Sequence, residues 1–165
     1  MPIRNILVPT DFSAASQEAV RYAYELASGL GATLHVVHVL ENPFAPGAFM
    51  EMYSPPPAEY FTDLERQAED KLRTCLTEDE RKRCRAVLTT RLGVPSAEIL
   101  DRLGEEPAID LVVMATHGRG GVARLVMGSV ADKVIRAAPC PVLTMREHPQ
   151  TAKDRLETEA AVATV

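Results

Sequence analysis

The stretch Asp110-Leu-Val-Val-Met-Ala115-Thr116-His117-Gly118-Arg119-Gly120-Gly121, closed further on by Gly128-Ser129, decides the fold. The apolar run from Asp110 to Ala115 reads as a buried strand. In the glycine-rich turn after it, backbone N–H groups approach an anion without a Cβ in the way. Ser129-Val-Ala-Asp132 then opens a helix, with Ser129 as an N-cap, and the N-terminal N–H groups and dipole favour negative charge. Strand, glycine loop and helix N-terminus in that order is how α/β proteins hold phosphate. This one follows a late strand, and neither G-x-G-x-x-G nor GxxxxGK[ST] occurs in the chain.

Upstream, Asn5-Ile-Leu-Val-Pro9 is a first strand. Ser13 offers an N-cap. Ala19, Tyr22, Ala23, Leu26, Ala27 and Leu30 then recur at helical steps, with a stop near Gly29 and Gly31. Thr33 to Leu40 is rich in branched residues and predicts strand two. Residues 41–57 break the pattern with Pro43, Pro46, Pro55, Pro56 and Pro57, and they are either a plain connector or a lid. Leu64, Ala68, Leu72, Cys75 and Leu76 mark a second helix, Arg85 to Arg91 a third strand, and Ala97 to Leu103 a short helix with Pro95 near its start. Strand four is Asp110 to Ala115. Leu125 to Ala138 has a helical period interrupted at Gly128, and Pro141-Val-Leu-Thr-Met145 is a last short strand. The alternation of strands and helices predicts an α/β fold with a parallel sheet covered on both faces. Residues 1–146 form one domain, and 147–165 are a polar, then alanine-rich tail expected to be flexible.

At 165 residues the chain is long enough for one buried core. Acidic residues outnumber basic ones 23 to 18, which leaves no basic footprint for nucleic acid. No apolar run spans a membrane and no signal peptide precedes the first strand, so a soluble cytoplasmic protein is expected. Cys75, Cys84 and Cys140 form no CxxC pair and read as small buried or half-buried thiols. His35 and His38 lie on one strand at odd spacing and face opposite sides, and no metal spacing emerges.

Open α/β sheets bind ligands at the carboxyl ends of their strands, where strand order reverses. With five parallel strands in the order 3-2-1-4-5, that crevice lies between strands one and four. Strand one ends in Pro9-Thr10-Asp11 and strand four in the glycine loop. Asp11 either caps the first helix or serves ribose hydroxyls or a magnesium-bound water. Arg119 and Arg124 are either solvated charges or phosphate ligands. There is no G-x-S-x-G elbow, and His117 has no nucleophile or partner that spacing assigns.

Ile6-Leu-Val-Pro-Thr-Asp-Phe-Ser13, His35-Val-Val-His-Val39, Ala115-Thr-His-Gly-Arg-Gly-Gly121 with Met127-Gly-Ser-Val-Ala131, and Ala138-Pro-Cys-Pro-Val-Leu143 together resemble the universal stress protein family. The resemblance covers residues 2 to about 146. It implies the adenine nucleotide alpha hydrolase-like version of this fold. The ATP-binding branch of that family carries Gly-x2-Gly-x9-Gly-Ser/Thr. Gly118, nine residues and Gly128-Ser129 match its second part, while Ala115 stands at the first glycine. By resemblance, the backbone of Val39 meets the adenine edge, and Pro9, Thr10 and Asp11 line base and ribose. Met114, Ala115, Thr116, His117, Gly118, Arg119, Gly120 and Gly121, with Gly128, Ser129, Val130 and Ala131, wrap ribose and phosphates. ATP is the implied ligand, with Mg2+ held through its phosphates. The strand 141–145 looks like the family's homodimer edge.

The leading expectation is a nucleotide-binding stress-response or regulatory dimer with little or no turnover. One alternative is a slow ATP hydrolase or nucleotidyl-transfer enzyme, which would need a water-activating group that the sequence does not display. Another is a protein-interaction module with a weakened nucleotide site and an unidentified protein partner.

Overall fold

The computed structural model describes residues 2–41, 58–116 and 127–146. Its elements are β1 (Asn5–Pro9), α1 (Ala14–Leu30), β2 (Thr33–Leu40), α2 (Ala58–Thr74), α3 (Glu78–Arg83), β3 (Val87–Leu92), α4 (Pro95–Leu103), β4 (Leu111–Ala115), α5 (Ser129–Ala137) and β5 (Val142–Met145). The sheet is parallel, in the order β3-β2-β1-β4-β5, as expected.

Period-two alternation builds two cores from the same strands. Ile6, Val8, Leu34, Val36 and Val113 pack on Ala19, Val20, Ala23 and Ala27 of α1 and on Leu72 of α2. Leu7, Val37, Val112 and Met114 point the other way, onto Ile99 and Leu103 of α4 and Ala131 and Val134 of α5. The small residues of α1 let that helix lie close to β1, and Ile6 and Val8 are fully buried beneath it.

Several boundaries differ from the sequence reading. Gly29 sits inside α1, and Gly31 alone ends it, at φ 66°, with its N–H on the Ala27 carbonyl. Cys75 and Leu76 lie beyond the end of α2. The sequence reading has no element at α3, whose polar surface gives no apolar period. A capping box between Thr77 and Glu80 starts it instead. The third strand starts at Val87 because Arg85 takes φ 48° in the preceding turn. Helix α5 starts at Ser129 with Gly128 as its N-cap, so Ser129 is the first helical residue and not the cap. Asp132 closes no capping box there. Both its carboxylate oxygens accept from Arg136 Nε, at 2.9 Å.

Candidate functional site

The carboxyl end of the sheet opens between β1 and β4. The two strands pair at Ile6 with Leu111 and at Leu7 with Val112, and the ladder goes no further. On its other side β1 pairs with β2 all the way to Pro9. Proline explains the asymmetry. Asp110 N–H donates to the Asn5 carbonyl and Thr10 N–H to the Val37 carbonyl, so odd residues of β1 turn their main-chain groups toward β4 and even ones toward β2. Pro9 is odd. It falls where β1 would next donate to β4, and it has no N–H to give. The hydrogen-bonded ladder stops at that point.

The same alternation fixes the main chain of β2. Val37 accepts from Thr10, while Leu40 accepts from Gly93 on the β3 side. Val39 therefore turns its N–H and C=O in the direction of Val37, past the point where β1 bends away into α1. A donor and an acceptor of one residue face the opening together. The Val39 side chain packs on the α4/α5 core.

Two helix N-termini flank the gap. Ser13 caps α1 by accepting from Ser16 N–H. Asp11 stands just ahead, and its Oδ1 accepts from Ser13 N–H at 3.0 Å and Ser13 Oγ at 2.6 Å. The capping role of Asp11 is thus observed, as a turn that braces the cap residue. On the far side, Thr116 N–H donates to the Met145 carbonyl, and Gly128 N–H donates to the Thr116 carbonyl at 2.8 Å. That second bond brings the start of α5 to the end of β4. It places Gly128 and the exposed Ser129 beside Ala115 and the buried Thr116.

Pro9, Thr10, Asp11, Val39, Met114, Ala115, Thr116, Gly128, Ser129, Val130 and Ala131 all belong to this end of the sheet. The side chains of Met114 and Ala131 are buried in the core, at 4% and 3% exposure, so any ligand contact from them uses the main chain. His117, Gly118, Arg119, Gly120, Gly121 and Arg124 lie outside the described residues, as do the proline-rich segment from 42 to 57 and the tail from 147 to 165.

Around Thr10, which the sequence reading assigned to the site, the structure adds Phe12, Ser16, His38 and Lys71, which it did not. Thr10 is buried. Its Oγ1 lies 3.0 Å from Ser16 Oγ and accepts from Phe12 N–H at 3.1 Å. Its carbonyl lies 2.8 Å from His38 Nδ1. A carbonyl only accepts, so the proton sits on Nδ1 of His38. Phe12 has φ 64°, a left-handed conformation that costs a bulky residue on the order of 1–2 kcal/mol. Its ring packs on the imidazole of His38 with centroids 4.3 Å apart, and the Lys71 ammonium lies 5.8 Å from the ring centre. The alternation of β2 places His38 on this face. Nothing in the sequence flags a left-handed Phe12.

The thiols follow the plain reading. Burial raises the pKa of Cys75, Cys84 and Cys140, which keeps them protonated. No cluster of three or more His, Cys, Asp or Glu side chains suited to a metal occurs among the described residues. No described helix is long and apolar enough to cross a membrane. Two cavities, of about 480 Å³ against β3 and about 710 Å³ between α1 and α2, lie on the α2 side and not in the opening between β1 and β4.

Comparison with known proteins places this architecture. The universal stress protein family profile matches residues 2–146. Universal stress protein A homolog 1 of Coxiella burnetii is 35% identical, over 88% of this chain and 97% of the relative. A universal stress protein of Methanocaldococcus jannaschii is 31% identical, over 87% of this chain and 82% of the relative. Among solved structures, universal stress protein UspA from Lactobacillus plantarum superposes with a TM-score of 0.62 at 26% identity, covering 88% of this chain and 99% of its own. Two more distant structures share the fold and were solved with ligands. A family member from Arabidopsis thaliana has AMP bound (TM-score 0.59, 17% identity, covering 90% of this chain and 94% of its own). A universal stress protein in complex with cAMP has a TM-score of 0.57 at 22% identity, covering 88% of this chain and 98% of its own.

Proposed function

The chain belongs to the universal stress protein family, and from that premise we propose that it binds an adenine nucleotide, ATP, in the opening between β1 and β4 and acts as a nucleotide-dependent regulatory dimer. The observation that carries this reading is the end of the β1–β4 ladder ahead of Pro9, between the N-termini of α1 and α5. The base lies at these strand ends, where the N–H and C=O of Val39 offer the donor and acceptor that an adenine edge requires. The ribose then lies near Asp11. The phosphates run toward the glycine loop and the start of α5, whose first-turn N–H groups and dipole favour an anion. Relatives of the same fold hold AMP and cAMP, which supports the adenine class.

The donor set suits Mg2+ only as a phosphate-bound ion. One oxygen of Asp11 is already engaged by Ser13, and the described residues hold no carboxylate cluster. Asp11 therefore serves the ion through water while the phosphates supply its direct ligands.

The dimer reading rests on β5, the terminal strand of the sheet. Pro141 and Met145 turn their carbonyls toward β4, so Val142 and Thr144 direct their main-chain groups outward. Antiparallel pairing with a second copy would satisfy them. Light scattering at micromolar concentration should give twice 18.0 kDa; a monomer mass overturns the dimer.

Nucleotide binding is tested by thermal unfolding and by mass spectrometry of small molecules released from the purified protein. ATP with Mg2+ at about 100 times its dissociation constant adds about 2.7 kcal/mol, or a rise of about 5–10 °C for a domain of this size. No shift with millimolar ATP, AMP or cAMP, and no nucleotide carried through purification, would overturn the reading.

A further inference from the structure

We infer that His38 is a positioning residue for the nucleotide site, holding Asp11 in place through the Thr10 carbonyl. The inference rests on the proposed nucleotide site, but its geometry is independent of any ligand. Thr10 and Asp11 lie beyond Leu7, the last residue of β1 paired with β4, and no main-chain bond links them to β4. Their position is set from the other side. Thr10 N–H donates to Val37, the Thr10 carbonyl accepts from His38 Nδ1, and Thr10 Oγ1 meets both Ser16 Oγ and Phe12 N–H.

His38 is 7% exposed, so its bond to Thr10 is shielded from water. The imidazole also supports the ring of Phe12, the one residue of this turn held at positive φ. A left-handed phenylalanine persists only where its surroundings over-determine it. Here the constraints are the His38 ring on its side chain, Thr10 Oγ1 on its N–H and Gln17 Nε2 on its carbonyl. Asp11 lies between the two residues so fixed, Thr10 and Phe12. The Asp11 main chain is therefore held between two residues that His38 braces, while Ser13 orients the carboxylate; His38 sits on a neighbouring strand and itself needs no contact with the nucleotide.

The test compares His38→Ala and His38→Asn, the second placing an amide N–H close to the position of Nδ1–H. Two quantities are read: the dissociation constant for ATP with Mg2+, and amide hydrogen exchange at Phe12 and Ser13 in nucleotide-free protein. His38→Ala should speed exchange at both amides and weaken binding about tenfold, the order of one lost hydrogen bond. His38→Asn should restore both to within about threefold of the parent. Unchanged exchange in His38→Ala overturns the inference whether or not nucleotide binds. Faster exchange with unchanged affinity also overturns it, since the bond would then serve the turn alone. Should His38→Ala not fold, Phe12→Gly decides. Glycine accepts the positive φ but removes the ring from His38, so it should weaken binding severalfold, and parent-like affinity overturns the inference. Absence of binding by the parent protein would refute the nucleotide reading, while the exchange measurements still decide whether His38 holds the turn.

Discussion

The two ends of the same strands use their polar residues in opposite ways. At the amino end, Asp110 Oδ2 accepts from the N–H groups of Arg4 and Asn5 at 2.8 and 2.9 Å, and Asn5 Nδ2 donates to the Ala108 carbonyl. Arg102, 7% exposed, donates to the carbonyls of Glu105 and Pro107 and to His35 Nδ1. His35 Nδ1 is thus an acceptor, so its proton is on Nε2, which donates to Asn5 Oδ1. This network ties β1, β2, β4 and α4 together, and its groups are spent on one another. At the carboxyl end the ladder between β1 and β4 stops, the turn after β1 is strained, and the main chain of Val39 faces the gap. Buried polar groups that saturate each other hold a fold together. Main-chain groups turned toward an opening are what a ligand reads. Damage at the amino end should therefore cost stability and spare binding, and damage at the carboxyl end should do the reverse.

The strongest test of that separation is Gly118→Val. A β-branched side chain blocks close backbone approach and disfavours left-handed conformations. Affinity for ATP should fall by about a hundredfold or more, equivalent to about 2.7 kcal/mol, with little change in the melting point of the free protein. Titration calorimetry that found parent-like affinity would move the phosphates away from the glycine loop.

Arg102→Met is the mirror experiment. It leaves two carbonyls and a histidine nitrogen without their buried donor, and should cost about 2–3 kcal/mol in urea unfolding. That corresponds to a fall of about 4–12 °C in melting point, with ATP affinity within about threefold of the parent. A parallel loss of affinity would show that the two ends are coupled through the strands.

A smaller effect is expected from pH. Burial, and then the neighbouring Arg102 charge, lower the pKa of His35 below its ordinary value. The unfolded chain therefore binds a proton that the folded chain refuses. Stability is fully present above the ordinary histidine pKa of about 6.5. It declines as pH falls from there toward the lowered folded value, by no more than about 1.4 kcal/mol per pH unit for one proton. In denaturant titrations between pH 7.5 and 5, His35→Gln should flatten this slope. A slope that survives the substitution assigns it to other groups.

The smallest effect belongs to Ala115→Gly. The methyl group stands where the family's nucleotide-binding pattern has glycine, at the end of β4. Removing it should leave ATP affinity unchanged or tighten it by up to about threefold. Weakening would mean that the alanine is favourable in its own right.

Much of this architecture is legible in the sequence because it depends on local chemistry. The apolar runs at Asn5–Pro9, Thr33–Leu40 and Leu111–Ala115 fall on strands within a residue of their expected bounds. Gly31 and Ser13 end and begin α1 as their backbone preferences require. Helix α3 was not legible because it buries no residue and so shows no apolar period. The N-cap of α5 is Gly128 and not Ser129, because serine and glycine both serve as N-caps and local sequence does not choose between them.

The sequence by itself determined the order of the five strands, the opposed faces of His35 and His38, and the family. These follow from periodicity, turn chemistry and residue spacing, which are properties of a chain read along its length. Tertiary structure alone decided that Pro9 turns its missing donor toward β4, that Val39 faces the gap so formed, and that His38 meets the Thr10 carbonyl across 28 residues of chain. Those facts depend on which strand lies beside which and in what register. Hydrogen-bond direction between strands is a property of their pairing and is carried by neither strand alone.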